Sequence, residues 1–536
     1  MLTLMRRASR RHTTAWFRGV VPILTIIALL PAPVSARQHG HRRGSLDWRI
    51  DAILRASGAE HGFWGIEVAE LPKGKILYRR NTDHLFLPAS NLKLFTTAAA
   101  LQTLGPDFVF RTTVESETPP DPQGRVQDLY LVGRGDPNLG SRVLPYRYQQ
   151  PQKGLTATAG SQPPADRVFQ ELAELVRARG VREVIGKLVA DDTYYLYEPY
   201  SHNWAIDDMQ WGYGAPVTAL AFNDNALELH FRPGAKAGDP AQVWLDPVAD
   251  YYELNNRVLT SAAGTEKQIF IERAPGSMEL DAWGQIPADA VEDSDTVAIE
   301  HPPQLAGEIF RKALEARGIT VRGSVSVAEV TRPEAAMSPG LFPPAPHGVV
   351  LAQHDSLPLR EDIKLTLKVS QNLHADMLLR TLAHETQHYG SLTVGLEILN
   401  RFAETAGASP GSTYFADGSG LSREDLVAPD ALLRLLLFMA RSPRFAVFFD
   451  ALPVAGLDGT LAERFRGSRV EGRINAKTGS VEHVNTLSGY MELPSGKRLA
   501  FSIMGNSYTL RSREGATVVD HIALALYDWY ARRKRL

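Results

Sequence analysis

A chain of 536 residues is longer than one hydrophobic core ordinarily organises, so several domains are expected. It has no cysteine, which excludes disulfides, thiol catalysis and cysteine-ligated metal. A formal net charge of -2 leaves no bulk positive field for nucleic acid.

The N-terminus reads as a secretory signal peptide over residues 1–36. Arg6, Arg7, Arg10, Arg11 and Arg18 form a positive region, residues 19–30 are mostly apolar, and Val34-Ser35-Ala36 offers a small-residue cleavage site. Pro22, Pro31 and Pro33 and the shortness of the apolar run weigh against an uncleaved anchor. The mature protein is therefore expected to be exported, periplasmic or otherwise associated with the cell envelope, and without a membrane span. Residues 46–57 follow as an amphipathic helix, with strands over 62–70 and 75–79 joined by Pro72-Lys73-Gly74. After Pro88 the pattern SNLKLFTTAAALQTLG predicts a helix that stops at Gly105.

From about 111 to 350 short strand-like runs dominate: 128–132, 186–190, 226–231 and 268–272. One helix is expected there, over 304–317, and two polar Pro-rich stretches, 145–166 and 331–347, read as loops or linkers. Trp204, Trp211 and Tyr213 are expected in the core of this region. Helices return over 357–388, 392–406 and 429–441. Strands at 486–492 and 497–505 turn at Pro494-Ser495-Gly496, and a last helix covers 516–533. This order predicts an α/β fold: a core made from both ends of the chain, with an antiparallel sheet flanked by helices, split by a long β-rich insertion.

Three short motifs carry the chemistry. Ser90-Asn91-Leu92-Lys93 opens a helix, where positions three apart share a face, so the Lys93 amine can reach the Ser90 hydroxyl. A serine needs such a base to become a nucleophile, and a lysine can act as one when its pKa is depressed. A helix N-terminus also leaves the Ser90 N–H free for an oxyanion. Lys477-Thr478-Gly479 precedes the paired strands. There the Ser480 N–H is a second oxyanion donor, Gly479 lets substrate lie close, and Lys477, Thr478 and Ser480 can hold a substrate carboxylate. Ser370-Gln371-Asn372 precedes a helix. Ser370 can relay a proton between Lys93 and a leaving nitrogen, and Asn372 can bind substrate backbone. Each motif is weak alone: Ser370 could be a helix N-cap, and Ser201-His202-Asn203 repeats the Ser-x-Asn pattern.

In this order the three motifs resemble the penicillin-recognising serine enzymes, the penicillin-binding proteins and serine β-lactamases. LPASNLKLFTTAAAL, VSQNLHADMLLR, DGSGLSREDLVAP and NAKTGSVEHVNTLSGY narrow the resemblance to the class C low-molecular-mass D-alanyl-D-alanine carboxypeptidases/endopeptidases, the penicillin-binding protein 4 type. GRGDPNL, ADDTYY and YGAPVTALAFNDN are similar to segments of that branch's insertion. Gln371, Asp376 and Ser480 depart from the frequent aspartate, glutamate and threonine. The resemblance implies a transpeptidase-like catalytic domain over 45–111 and 351–536, with two nested domains inserted over 112–350. It implies an acyl-enzyme on Ser90, with Lys93 as base alone or with Ser370, hydrolysed by water after release of D-alanine. The partners it implies are peptidoglycan stem peptides and β-lactam antibiotics; no cofactor and no metal are needed.

His384-Glu385-Thr386-Gln387-His388 competes as an H-E-x-x-H zinc pattern, although Ser391 stands where the extended pattern needs glycine. Asp417-Gly418-Ser419-Gly420 reads as a glycine turn, with Ser422 and Asp425 as a capping box; that the turn is a loop near the active site is implied by the resemblance alone.

Overall fold

The computed structural model describes residues 44–148, 163–331 and 347–532. The expected signal segment 1–36 and most of both Pro-rich stretches lie outside these. Among the described residues no helix is long and apolar enough to cross a membrane.

The first helix, Leu46–Ser57, is capped by Ser45, whose hydroxyl accepts from the Trp48 N–H at 3.2 Å, and it stops at Gly58 (φ 71°). Its Leu46, Ile50 and Leu54 are buried against the final helix, Ser512–Arg532. Both lie on a five-stranded antiparallel sheet in the order Ile474–Val481, Val484–Glu492, Arg498–Asn506, Phe63–Glu70, Lys75–Arg80. Strands from opposite ends of the sequence meet in register as Trp64↔Gly505, Ile66↔Ile503 and Val68↔Phe501. Alternation sorts the side chains: Phe501 and Ile503 face the terminal helices, while Ala500 and Met504 face a second core built on Lys93–Thr103, Leu359–Lys368, Asn372–Gln387, Leu392–Thr405 and Pro429–Arg441. The split α/β core expected from sequence is thus present.

The intervening region begins and ends in one sheet. Arg111–Ser116 pairs with Val349–Asp355, and the order runs Val325–Val330, Leu188–Leu196, Leu129–Val132, Arg111–Ser116, Val349–Asp355. Helices Arg167–Ala178 and Pro302–Ala316 cover it through Phe169 and Phe310. Between Leu196 and Pro302 lie two three-stranded sheets, one over residues 226–298 and one over 253–287. Arg167–Ala178 was not expected, because it follows a polar Pro-rich lead-in, yet its Val168, Phe169, Leu172, Ala173 and Val176 have helical spacing. The short helix Phe445–Ala451 was also not expected; seven residues carry too few repeats to show a period.

The sheet depends on close backbone approach at Gly489. A β-carbon there would lie 2.2 Å from the Asn475 carbonyl oxygen and 2.5 Å from the Ala476 Cα. Both are backbone atoms of the strand that carries Lys477, so they cannot yield singly. Gly489→Ala is expected to lower stability by about 2–3 kcal/mol, read as an earlier urea midpoint; a midpoint equal to that of the parent protein contradicts this packing.

Candidate active site

The turn before the predicted Ser90 helix is tighter than an α-helix. Ala89–Leu92 is a 3₁₀ turn that leads into the α-helix Lys93–Thr103, and Ala89 has φ 45°. That strained residue sets Ser90 at the elbow. Two packing elements hold it there. The Thr486 hydroxyl donates to the Pro88 carbonyl at 2.9 Å. A β-carbon on Gly420 (φ 83°) would lie 1.9 Å from the Ala89 carbonyl oxygen, so only glycine fits.

Lys93 is wholly buried. Its Nζ donates to Ser90 Oγ at 2.9 Å, Asn372 Oδ1 at 2.6 Å and the Ser419 carbonyl at 2.7 Å. Burial pulls its pKa down to about 8; the nearby carboxylates Asp417, Asp376 and Asp425 limit the fall. Asn372 therefore has a role that sequence alone did not suggest. Its Oδ1 accepts from Lys93, and its Nδ2 donates to the Tyr213 carbonyl at 2.8 Å. Tyr213 is not a core residue as expected: it is 46 % exposed beside the site, with its hydroxyl donating to Asp208. The short Gly212–Gly214 turn carries it there.

Ser370 adopts φ 68° and separates the helices Leu359–Lys368 and Asn372–Gln387. The helix N-cap is Gln371, not Ser370, and it makes no side-chain cap bond. Gln371 instead donates to Asp224 of the inserted region at 3.0 Å. Asp224 and Asp362 also lie 3.1 and 2.7 Å from the two ring nitrogens of buried His374, which pins the first turn of that helix. The Ser370 hydroxyl accepts from Lys477 Nζ at 2.8 Å; its partner here is Lys477, where the sequence had suggested Lys93.

Lys477 lies on the edge strand of the sheet, buried, with a second bond to the Thr478 carbonyl at 2.7 Å. Burial first, and the Lys93 charge second, hold its pKa well below that of a free lysine. The Thr478 hydroxyl donates to Thr460 at 2.7 Å. A β-carbon on Gly479 would lie 2.2 Å from Thr486 Oγ1 and 2.8 Å from the Pro88 carbonyl oxygen, so this strand abuts the Ser90 turn only because residue 479 is glycine. Ser480 is exposed, and its hydroxyl meets Ser512 at 2.6 Å and Asn485 at 2.9 Å. Beside Ser370 and Asn372 a cavity of 680 Å³ opens toward Arg142, Asp224 and Tyr213.

The other candidate motifs lie elsewhere or serve another purpose. His384 stacks on Tyr194 with ring centroids 3.5 Å apart, Glu385 accepts from the Tyr194 hydroxyl, and His388 is the left-handed residue ending the helix (φ 67°). Among the described residues no group of three or more His, Cys, Asp or Glu is placed to hold a metal ion. The expected capping box does not form: Ser422 accepts from the Glu424 N–H, while Asp425 accepts from the N–H groups of Ala416 and Asp417. Ser201, of the second Ser-x-Asn, donates to Asp376 at 2.8 Å, and Trp204 donates to Asp417 at 2.9 Å.

The chain is 36 % identical over 520 residues to a D-alanyl-D-alanine carboxypeptidase of Actinomadura sp. (strain R39), covering 95 % of this chain and 89 % of the relative. It is 26 % identical over 469 residues to the D-alanyl-D-alanine carboxypeptidase DacB of Haemophilus influenzae, covering 84 % and 87 %. In fold it is similar to the crystal structure of penicillin binding protein 4 (dacB) from Haemophilus influenzae, with TM-score 0.74, 22 % identity and coverage of 90 % of this chain and 99 % of that one. A second structure of that protein, complexed with a β-lactam, aligns with TM-score 0.67 at 23 % identity over 89 % of this chain and 99 % of that chain. The model of the D-Ala-D-Ala carboxypeptidase 3 (S13) family matches residues 46–526. With most of its length matched, this chain belongs to the D-Ala-D-Ala carboxypeptidase 3 (S13) family of serine-type peptidases.

Proposed function

We propose that this serine D,D-peptidase works through Ser90 as nucleophile and Lys93 as its base, on peptidoglycan stem peptides ending in D-alanyl-D-alanine. The observation that carries the reading is the buried Lys93 amine, 2.9 Å from Ser90 Oγ and with a pKa near 8. In the neutral amine two N–H bonds go to Asn372 Oδ1 and the Ser419 carbonyl, and the lone pair faces the Ser90 hydroxyl. Ser90 Oγ attacks the carbonyl carbon of the penultimate D-alanine while its proton passes to Lys93. The N–H groups of Ser90 and Ser480 stabilise the oxyanion. Collapse of the tetrahedral intermediate breaks the C–N bond. The proton that Lys93 took from Ser90 passes through Ser370, held by Lys477, to the leaving nitrogen, so D-alanine departs as an amine and Lys93 is neutral again. Water then attacks the ester as neutral Lys93 takes its proton, and Lys93 hands that proton to Ser90 Oγ as the ester breaks, freeing Ser90. The substrate's terminal carboxylate binds at Lys477, Thr478 and Ser480, and Asn372 lies along its backbone.

The same acyl-enzyme forms with penicillins, whose β-lactam amide stands in for the scissile bond. D-alanyl cross-links that carry a free carboxylate one residue beyond the scissile bond fit the same requirement, and the 680 Å³ cavity beside Ser370 gives room for a leaving group larger than D-alanine. The mature chain, freed of residues 1–36, acts at the cell envelope, with 112–350 as an insertion of two nested domains.

Ser90→Ala is expected to abolish covalent labelling by a fluorescent penicillin and to lower D-alanine release from a stem pentapeptide on the order of 10⁴-fold; undiminished labelling sinks the assignment. Lys93 must be neutral to accept the proton, so the neutral fraction, and with it the rate, climbs as pH rises toward about 8. The second-order rate of penicillin acylation should climb about tenfold per pH unit below that point and level off above it. A profile flat from about pH 6 to 9 contradicts Lys93 as base. Gly479→Ala should push the Ser90 turn off the strand and slow acylation roughly 100-fold or more, measured by stopped-flow labelling; a rate within twofold of the parent counts against the close approach.

A further inference from the structure

Lys93 relies on a loop that none of the three motifs contains. The Asp417 carboxylate is fully buried and accepts six hydrogen bonds. Four come from the backbone N–H groups of Ser419, Gly420, Leu421 and Ser422, at 2.8, 2.6, 3.0 and 2.8 Å. One comes from the Ser419 hydroxyl at 3.1 Å, and one from the indole N–H of Trp204, in the inserted region, at 2.9 Å. The loop gathered in this way presents its Ser419 carbonyl to Lys93 Nζ at 2.7 Å and its Gly418 carbonyl to the Thr96 hydroxyl at 2.6 Å, and its Gly420 fits under Ala89.

We infer that Asp417 is a positioning residue for acylation, and that the inserted region takes part in activating the nucleophile by completing the Asp417 bond set through Trp204. The inference rests on the reading of Lys93 as base. The Ser419 carbonyl and Asn372 Oδ1 use two N–H bonds of the amine, so its third tetrahedral position must face Ser90. If the Ser419 carbonyl shifts, the lone pair turns away. Asp417 also acts by charge. The groups that face Lys93 are Asp417 and Asp425 from the loop, Asp376 with its partner Arg380 from the Asn372–Gln387 helix, and Lys477 from the edge strand. Of the three carboxylates that raise the Lys93 pKa against burial, Asp417 contributes most, ahead of Asp376 and Asp425.

This arrangement predicts shifts of opposite sign. Asp417→Asn removes an anion that favours the Lys93 ammonium, so the lysine titrates lower. Trp204→Phe keeps a ring in place but removes a donor that partly neutralises Asp417, so the field at Lys93 strengthens and the lysine titrates higher. The experiment is the pH dependence of fluorescent-penicillin acylation for the full chain and the two variants, with thermal melting and Ser90→Ala labelling alongside. The expected result is a plateau lowered at least about tenfold in Asp417→Asn, with its acid limb moved down by about half a pH unit or more. For Trp204→Phe a plateau lowered roughly threefold is expected, with the limb moved up. Plateaus within twofold of the parent, or lowered plateaus with unmoved limbs, overturn the inference, the second outcome being that of a merely structural loop. If Asp417→Asn does not fold, the direction of the Trp204→Phe limb decides alone. Labelling that survives Ser90→Ala defeats the reading of Ser90 and Lys93 itself. Labelling that needs Ser90 but shows no opposed shifts defeats only the role of Asp417.

Discussion

Placing the amine of Lys93 where no water reaches it is the constraint on which the rest of this site depends. An ammonium taken out of water is costly unless every donor is used and counter-charge is close. Here all three donors are used, by Ser90, Asn372 and the Ser419 carbonyl. The counter-charge is supplied at a distance, by carboxylates that are themselves buried. No carboxylate bonds to Lys93 directly in the described contacts. A direct ion pair would hold the proton too tightly for a base; solvent exposure would leave the pKa near that of a free lysine. Burial with indirect charge lies between the two and brings the amine to the range where it can take and return a proton.

That constraint explains why the site draws on so much of the chain. Ser90 and Lys93 come from the first hundred residues, and Lys477 and Gly479 from the last hundred. The sheet joins these ends through Phe63–Glu70 and Arg498–Asn506. The middle of the chain contributes as well. Tyr213 receives a hydrogen bond from Asn372, Asp224 from Gln371, and Asp417 and Asp376 receive theirs from Trp204 and Ser201. The insertion is therefore packed into the groups around the lysine.

The three motifs were legible in the sequence because each is short and local, and because helical spacing alone places Lys93 under Ser90. The split core was legible from the order of periodicities. Contacts between distant segments were not. Nothing in Asn372 announces that its oxygen turns toward Lys93 instead of a substrate, and nothing in Tyr213 announces that its backbone supports Asn372. Both depend on where the insertion returns to the core. The Arg167–Ala178 helix was obscured by its polar approach, although its apolar period was present. Asp417 looked like part of a glycine turn, which it is; that its carboxylate gathers the turn appears only when the four N–H groups are seen to converge.

The most direct test of this account is the protonation of Lys93 itself. The protein can be labelled with lysine carrying ¹³C at Cε, with the Lys93 resonance assigned by its loss in Lys93→Arg and its chemical shift followed against pH by NMR. The account predicts a titration midpoint near 8. A midpoint at or above about 10, that of an exposed lysine, would mean that the amine is not tuned by burial, and would contradict the role given to Lys93 here.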